Sequence, residues 1–320
     1  MTNRRNFIKS ASLLTAGGLL AGTTGAAHAS SPSVASSAAS KKKLGLQIYS
    51  LQKELYDDLP KRMKELKNMG YVNLELAGYG KGKIGDVEMM EFRKMAEDAG
   101  LKIVSSHVNP SIEGVPFLME YKKEILPQVK EYWIQTVADH VKLGCKFLIQ
   151  PMMPMCRTYE EALLVCEFFN EAGKICKDAG LLFGYHNHHM EFQRLLKPGE
   201  EEKFANPFAP KGEQIQDIFI ANTDPSLVCF ELDVYWTVRG GNDPLAYLKK
   251  HSDRIKALHI KDVAVLGQSG MLNFENIFKQ MYKNGIEDYF VELEQMPDGR
   301  TQFAGVKDCA AYLKKASFVK

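Results

Sequence analysis

Four stretches decide the fold: Leu181-Leu182-Phe183-Gly184-Tyr185-His186, Val228-Cys229-Phe230-Glu231-Leu232-Asp233, Ile255-Lys256-Ala257-Leu258-His259 and Tyr289-Phe290-Val291-Glu292. Each runs an apolar strand pattern into a side chain that can ligate a metal. The terminal residues His186, Asp233, His259 and Glu292 are 47, 26 and 33 positions apart, about one strand-helix-strand unit each. Parallel strands present side chains at their carboxyl ends, where α/β proteins build their sites. Two histidines and two carboxylates converging there make a site for a divalent cation.

The same rhythm extends back to Leu44. Strand patterns at Leu44–Tyr49, Val72–Leu76, Lys102–His107 and Cys145–Gln150 alternate with helical ones at Leu59–Met69, Val87–Ala99, Lys123–Leu143 and Tyr159–Ala179. Glycines 70, 100, 144 and 180 close those four helices. Further helices are expected near Pro244–His251 and Phe274–Asn284. Eight strands with helices between them predict an α/β protein, a (β/α)8 TIM barrel. An open doubly wound sheet would carry a Gly-rich phosphate turn after its first strand, and Tyr49-Ser50-Leu51-Gln52 is not one.

Side-chain parity sharpens this reading, because strand residues alternate between faces. Phe230 and Leu232 share one face, with Cys229, Glu231 and Asp233 on the other. Leu258 and Ile260 oppose Ala257, His259 and Lys261, while Val291 and Leu293 oppose Phe290, Glu292 and Glu294. Apolar side chains thus face a helix layer, and polar ones face the barrel axis near the strand ends. A buried polar group costs about 1–3 kcal/mol unless paired, so this many in register predict a site. Two longer loops, Asn109–Tyr121 and about 191–223, follow the third and fifth strands and are expected to shape a cleft.

The first 29 residues read as an address. Asn3-Arg4-Arg5-Asn6-Phe7-Ile8-Lys9 is a twin-arginine start, followed by an apolar run from Ala11 to Ala21 and a small-residue exit at Ala27-His28-Ala29. The run is broken by glycine and too short to span a bilayer. Export to the periplasm by the twin-arginine route is therefore expected. Residues 30–42 read as a Ser/Ala-rich tether and 43–320 as one domain of about 275 residues. Of 41 basic residues, Arg4, Arg5 and Lys9 belong to the leader, leaving 38 against 39 acidic ones and a formal charge of −1. No basic excess is present to hold nucleic acid, and no later segment approaches membrane length. The six cysteines lie in strand-like and helical runs and are expected as buried thiols, with room for one pair.

His259, in His259-Ile260-Lys261-Asp262, becomes a ligand candidate because Asp233 and Glu292 hold equivalent strand-end positions. Asp233 could alternatively cap the following helix. In His186-Asn187-His188-His189, His186 and His188 share a face; His186 is the preferred ligand, and Glu191 is a further candidate. Nitrogen and oxygen ligands without thiolate suit Mn²⁺, Co²⁺, Zn²⁺ or Mg²⁺. The metal would polarise a carbonyl while Glu292, His188 or Lys261 moves a proton from the adjacent carbon. Glu75, His107 and Gln150 are candidates for binding sugar hydroxyls, Trp236 and Tyr49 for stacking on a ring, and Glu294 is a further substrate-binding candidate or an alternative ligand to Glu292.

Gly184-Tyr185-His186-Asn187-His188, Glu231-Leu232-Asp233-Val234-Tyr235-Trp236, His259-Ile260-Lys261-Asp262 and Val291-Glu292-Leu293-Glu294 resemble the sugar phosphate isomerase/epimerase family of xylose isomerase-like barrels. The resemblance implies one divalent metal held by Asp233, His259 and Glu292. It departs on the fifth strand, where ketose 3-epimerases have a metal-binding Glu and this chain has His186. The expectation is an exported, metal-dependent isomerase or epimerase acting on a small carbohydrate, a keto-sugar or glycoside. A lyase or dehydratase, a non-catalytic carbohydrate-binding protein and a DNA-repair endonuclease are rivals, the last disfavoured by charge and export. A homo-oligomer is compatible with the sequence, which does not specify one.

Overall fold

The computed structural model describes residues 42–113, 122–153, 156–200 and 211–320, all within one compact unit, Ser40–Lys320. The leader and the tether as far as residue 41 lie outside the described residues. So do 114–121 and 201–210, which belong to the two long loops.

Eight strands close into a barrel in chain order: β1 (Leu44–Gln47), β2 (Tyr71–Leu76), β3 (Lys102–His107), β4 (Phe147–Gln150), β5 (Leu182–His186), β6 (Val228–Asp233), β7 (Ile255–Lys261) and β8 (Asp288–Glu292). Every neighbouring pair is parallel, including β1 with β8. Closure brings Leu46 opposite Val291, and Gly45 is what lets the strands meet. A Cβ at Gly45 would lie 2.1 Å from the Tyr289 carbonyl oxygen and 2.8 Å from the Phe290 ring, closer than any real contact allows.

The helices are α1 (Leu59–Met69), α2 (Met89–Asp98), α3 (Leu126–Leu143), α4 (Tyr159–Asp178), α5 (Ile215–Asn222), α6 (Val234–Arg239), α7 (Pro244–Lys250), α8 (Phe274–Lys283) and α9 (Gln302–Lys315). Their ends carry ordinary capping chemistry. The Asp58 carboxylate accepts from Lys61 N and Pro60 opens the first turn of α1, while Thr158 and Glu161 form a reciprocal capping box on α4. Lys42 donates its ammonium to the carbonyls of Leu313, Lys314 and Ala316 at 2.9, 2.8 and 2.6 Å, at the negative end of the α9 dipole. The start of the barrel is thereby tied to its last helix.

Alternation sorts the strand residues as parity requires. Phe230, Leu232, Leu258, Ile260, Val291 and Leu293 join the large core that also takes in the helices. A second, smaller cluster holds Val104, Phe147, Ile149, Cys229, Ala257 and Phe290, and three of these share a strand face with Glu231, His259 and Glu292. The barrel axis is therefore an apolar plug capped by polar groups. In β3 the ladder is irregular: Leu74 pairs with Ile103, but Glu75 pairs with Ser105. That bulge lets Val104 join the plug while Ser105 still reaches Glu75.

The structure departs from the expected elements at several places. The first strand stops at Gln47, and Ile48–Leu55 is 3₁₀ helix, because Gln47 accepts Tyr49 N on its side chain and turns the chain. Val87 and Glu88 pair with Ile84 and Lys83 in a small antiparallel sheet, so α2 starts at Met89. Lys123–Ile125 is a 3₁₀ turn ahead of α3. The segment 191–223 is not all loop: Arg194–Leu195 pairs with Glu213–Gln214, and α5 follows. All six cysteines are free thiols. Among the described residues no helix is long and apolar enough to cross a membrane.

Candidate metal centre

The strand register sets the site. Glu231 lies opposite His186, Asp233 opposite His259, and Lys261 opposite Glu292, across three consecutive strand pairs. Each side chain projects toward the axis just beyond the apolar plug. His186, Asp233, His259 and Glu292 each offer a ligand atom, and these atoms lie within 4.8 Å of one another. All four are buried.

Their unmet valences point at one spot. Asp233 turns Oδ1 outward to accept from Trp236 N at 2.7 Å, the helix cap of α6, so Asp233 caps the helix and still has an oxygen left. That oxygen, Oδ2, and His259 Nδ1 are both buried without a hydrogen-bond partner among the described residues. They are 3.9 Å apart, and Glu292 Oε2 is 3.4 Å from the same Nδ1. Native proteins rarely leave such atoms unsatisfied, and a cation would satisfy them together. The imidazole and carboxylate donors, with no thiolate, fit the hard-to-borderline divalent ions named from the sequence.

Beneath this group lies a second one. Glu231 Oε2 meets His107 Nε2 at 2.8 Å, His259 Nε2 at 3.1 Å and His186 Nδ1 at 3.2 Å. Glu75 accepts from Ser105 Oγ at 2.6 Å and Gln47 Nε2 at 3.0 Å, and it also contacts His259 Nε2. His107, His186, Glu231 and His259 thus form an overlapping cluster that shares two histidines with the upper one.

The electrostatics follow from dryness and charge. Burial pushes the Asp233 carboxyl up to about 7, against the pull of Lys261 and His259. Burial would raise Glu292 too, but Lys261 and His259 override it and hold that carboxyl well below its usual range. Burial, then the nearby Glu75 charge, pushes Glu231 up to about 7. Burial alone would lower His259, yet Glu231 and Glu75 raise it well above an ordinary imidazole. His186 is held well below by burial, and His188 is pushed down to about 4 by the same cause.

The remaining candidates fall around this cage. Lys261 places Nζ 2.8 Å from Glu292 Oε2, against Glu294, and 4.9 Å from the Trp236 ring centre. Burial would lower the Lys261 ammonium, but Glu292, Asp233 and Glu294 raise it, so it stays charged. The His188 ring packs against His186 and Trp236, and its Nδ1 is buried without a partner, as is Trp236 Nε1. Glu75 is sealed below His259, and His107 bridges Glu75 and Glu231 at 3.3 and 2.8 Å. Gln150 ends β4 but donates its amide to Met152 O, beside the cage. Glu191 spends its oxygens on Tyr185 Oη and His188 N, and no ligand group includes it. Tyr49 is exposed on the rim. There it lines a cleft of about 630 Å³ with Gln52, Tyr56, Gly78 and Gly85.

Sequence reasoning assigned no role to Glu231, Gln47, Ser105 or Asn187, whose Oδ1 accepts from Asp233 N at 3.2 Å. For Glu231 the signal was present, since it shares the inward face of β6 with Asp233.

A closed parallel barrel with mixed histidine and carboxylate groups at its carboxyl end defines a class of α/β barrels with cation-type sites. Comparison with known proteins places the chain within it: residues 63–316 match the xylose isomerase-like TIM barrel family, and the chain belongs to that family. A sugar phosphate isomerase/epimerase from Parabacteroides distasonis is 61% identical and superposes with a TM-score of 0.82, covering 87% of this chain and 100% of its own. A second such structure from the same organism is 47% identical with a TM-score of 0.84, covering 89% of this chain and 100% of its own. The inosose dehydratase of Clostridium beijerinckii is 26% identical over 185 residues, 49% of this chain and 55% of that protein. The chain therefore spans about half of that curated relative.

Proposed function

We propose that this protein is a divalent-metal-dependent enzyme that removes a proton from a carbohydrate carbon next to a carbonyl and returns one, as an isomerase or epimerase. The observation that carries this is the convergence of two unpartnered buried atoms, Asp233 Oδ2 and His259 Nδ1, beside Glu292 and His186. A divalent cation held there would act as a Lewis acid toward a carbonyl oxygen.

The protein's own groups divide the remaining work. Lys261, kept cationic between Glu292 and Glu294, is a poor base and instead holds Glu292 ionised. His188 is the better base of the three candidates, being neutral, with a free Nδ1 beside the cage. Trp236 Nε1 offers a donor to a substrate oxygen, and the Trp236 and Tyr49 rings offer faces to a sugar. The similarity to proteins described as sugar phosphate isomerase/epimerases supports the reaction class.

A second reading has its own support. The resemblance implies that His186 replaces a metal-binding Glu of the ketose 3-epimerases, which would leave this chain without their carboxylate pair for opposed proton transfers. The inosose dehydratase relative points to elimination from the same first step. Incubation with a panel of keto-sugars and keto-glycosides in deuterated water, with and without chelator, separates these outcomes. The proposal expects metal-dependent deuterium entry with the carbon skeleton retained. Loss of a β-substituent would favour the lyase, and sugar binding that survives chelation without exchange would overturn catalysis.

We also propose export to the periplasm, on the strength of Arg4-Arg5 and the apolar run that follows. Fractionation of cells expressing the full chain and an Arg4→Lys/Arg5→Lys variant tests it: retention of the variant alone in the cytoplasm is expected, and equal distribution would contradict it.

A further inference from the structure

We infer that Glu231 is a positioning residue that sets His186 in its cation-binding tautomer; the inference rests on the metal-centre reading above. A carboxylate oxygen only accepts hydrogen bonds. Glu231 Oε2 meets three ring nitrogens: His107 Nε2, His186 Nδ1 and His259 Nε2, at 2.8, 3.2 and 3.1 Å. As the acceptor, Oε2 therefore keeps a hydrogen on His107 Nε2 and His186 Nδ1, whereas His259 Nε2 spends its hydrogen bond on Glu75. For His186 this leaves Nε2 as the bare nitrogen. His259 Nδ1 is the atom that stands unpartnered beside Asp233 and Glu292.

One carboxylate thus orients His186, a ligand on the strand beside its own. The means are the register and the depth. Glu231 pairs laterally with His186 on β5, while Asp233, two residues along β6, pairs with His259 on β7. Glu231 is fully buried, so no water competes for these rings. Glu75 adds a second acceptor to His259 Nε2 and to His107, and Gln47 and Ser105 hold Glu75 in turn. An imidazole free of such a partner exchanges its proton between nitrogens, and in the wrong tautomer it turns an N–H toward the cation. Outer-shell partners of this kind are worth about 10–100-fold in metal affinity.

The test is Co²⁺ binding by calorimetry to the purified protein and to Glu231→Met, Glu231→Gln, His107→Ala and Asp233→Ala, with far-UV dichroism and thermal unfolding of each. Long-range ¹H–¹⁵N correlation spectra of ¹⁵N-histidine protein, free of metal, read the His186 tautomer directly. The inference expects Glu231→Met to bind Co²⁺ about 10–100-fold more weakly while folded, with Glu231→Gln in between. It also expects His186 to change from a single Nδ1–H form to a mixture. Unchanged affinity and an unchanged His186 spectrum in folded Glu231→Met would overturn it. Loss of Co²⁺ in His107→Ala with retention in Asp233→Ala would mean that the cation sits in the lower cluster and that Glu231 is itself a ligand, which overturns the metal-centre reading instead. Should Glu231→Met fail to fold, the Glu231→Gln spectrum and affinity decide the matter alone.

Discussion

Asp233 carries two duties on one side chain, and the pair explains much of the site. Oδ1 caps α6 and Oδ2 is left bare beside His259. Asp233→Ala is expected to lose bound metal and activity together and also to cost about 1 kcal/mol from the lost cap, measured by metal analysis and thermal unfolding. The pH dependence has a definite sign. Burial raises the metal-free Asp233 carboxyl to about 7, and His259 holds its proton through the Glu231 and Glu75 charges. A cation must displace both protons. Affinity should therefore fall as pH drops through about 7, and binding should release protons, seen by calorimetry in buffers of different ionisation enthalpy. In the metal-free protein a raised carboxyl favours the folded state at low pH, and that contribution is lost as pH rises through about 7. Asp233, His259 and Glu292 were legible because each ends or nearly ends an apolar run. Glu231 was legible as inward-facing but not in its role, because a carboxylate two residues short of a strand end reads as one more inward polar group until its histidine neighbours are seen.

At the scale of elements, the barrel closes where side chains are smallest and holds its ends by caps. Gly45→Ala would place a methyl carbon 2.1 Å from the Tyr289 carbonyl oxygen. A backbone atom cannot step aside, so a loss of about 3 kcal/mol, the upper end of overpacking costs, is expected by chemical denaturation. Wild-type stability in that variant would mean that β1 and β8 do not meet in this way. Lys42→Met removes a partly exposed ammonium from three α9 carbonyls and should cost no more than about 1 kcal/mol, an effect that weakens in high salt. The helices that were legible, such as α1 and α4, have glycine stops and strong caps. The eight-residue α5 was not, because Ile215, Gln216, Ile218, Phe219 and Ile220 are all buried and leave no polar stripe to set a helical period. Likewise α6 begins on the strand's own last residue, Asp233.

Across the whole molecule, the architecture follows from repetition and the site from where the repeats end. Apolar residues fill most of the outward strand face and the lower axis, and the inward polar groups described above gather toward the carboxyl rim. The eight-stranded count could be read because strand and helix patterns alternate without interruption from Leu44 onward. The stacking of two clusters could not, since it depends on which strands become lateral neighbours and on the bulge at Ser105. The proposed chemistry needs one cation at one place. Anomalous diffraction from crystals grown with Co²⁺ or Mn²⁺ locates it directly. A single peak is expected at about 2.0–2.3 Å from Asp233 Oδ2, His259 Nδ1, His186 Nε2 and a Glu292 oxygen. A peak among His107, His186 and Glu231, or four ligands splayed around no peak at all, would contradict it.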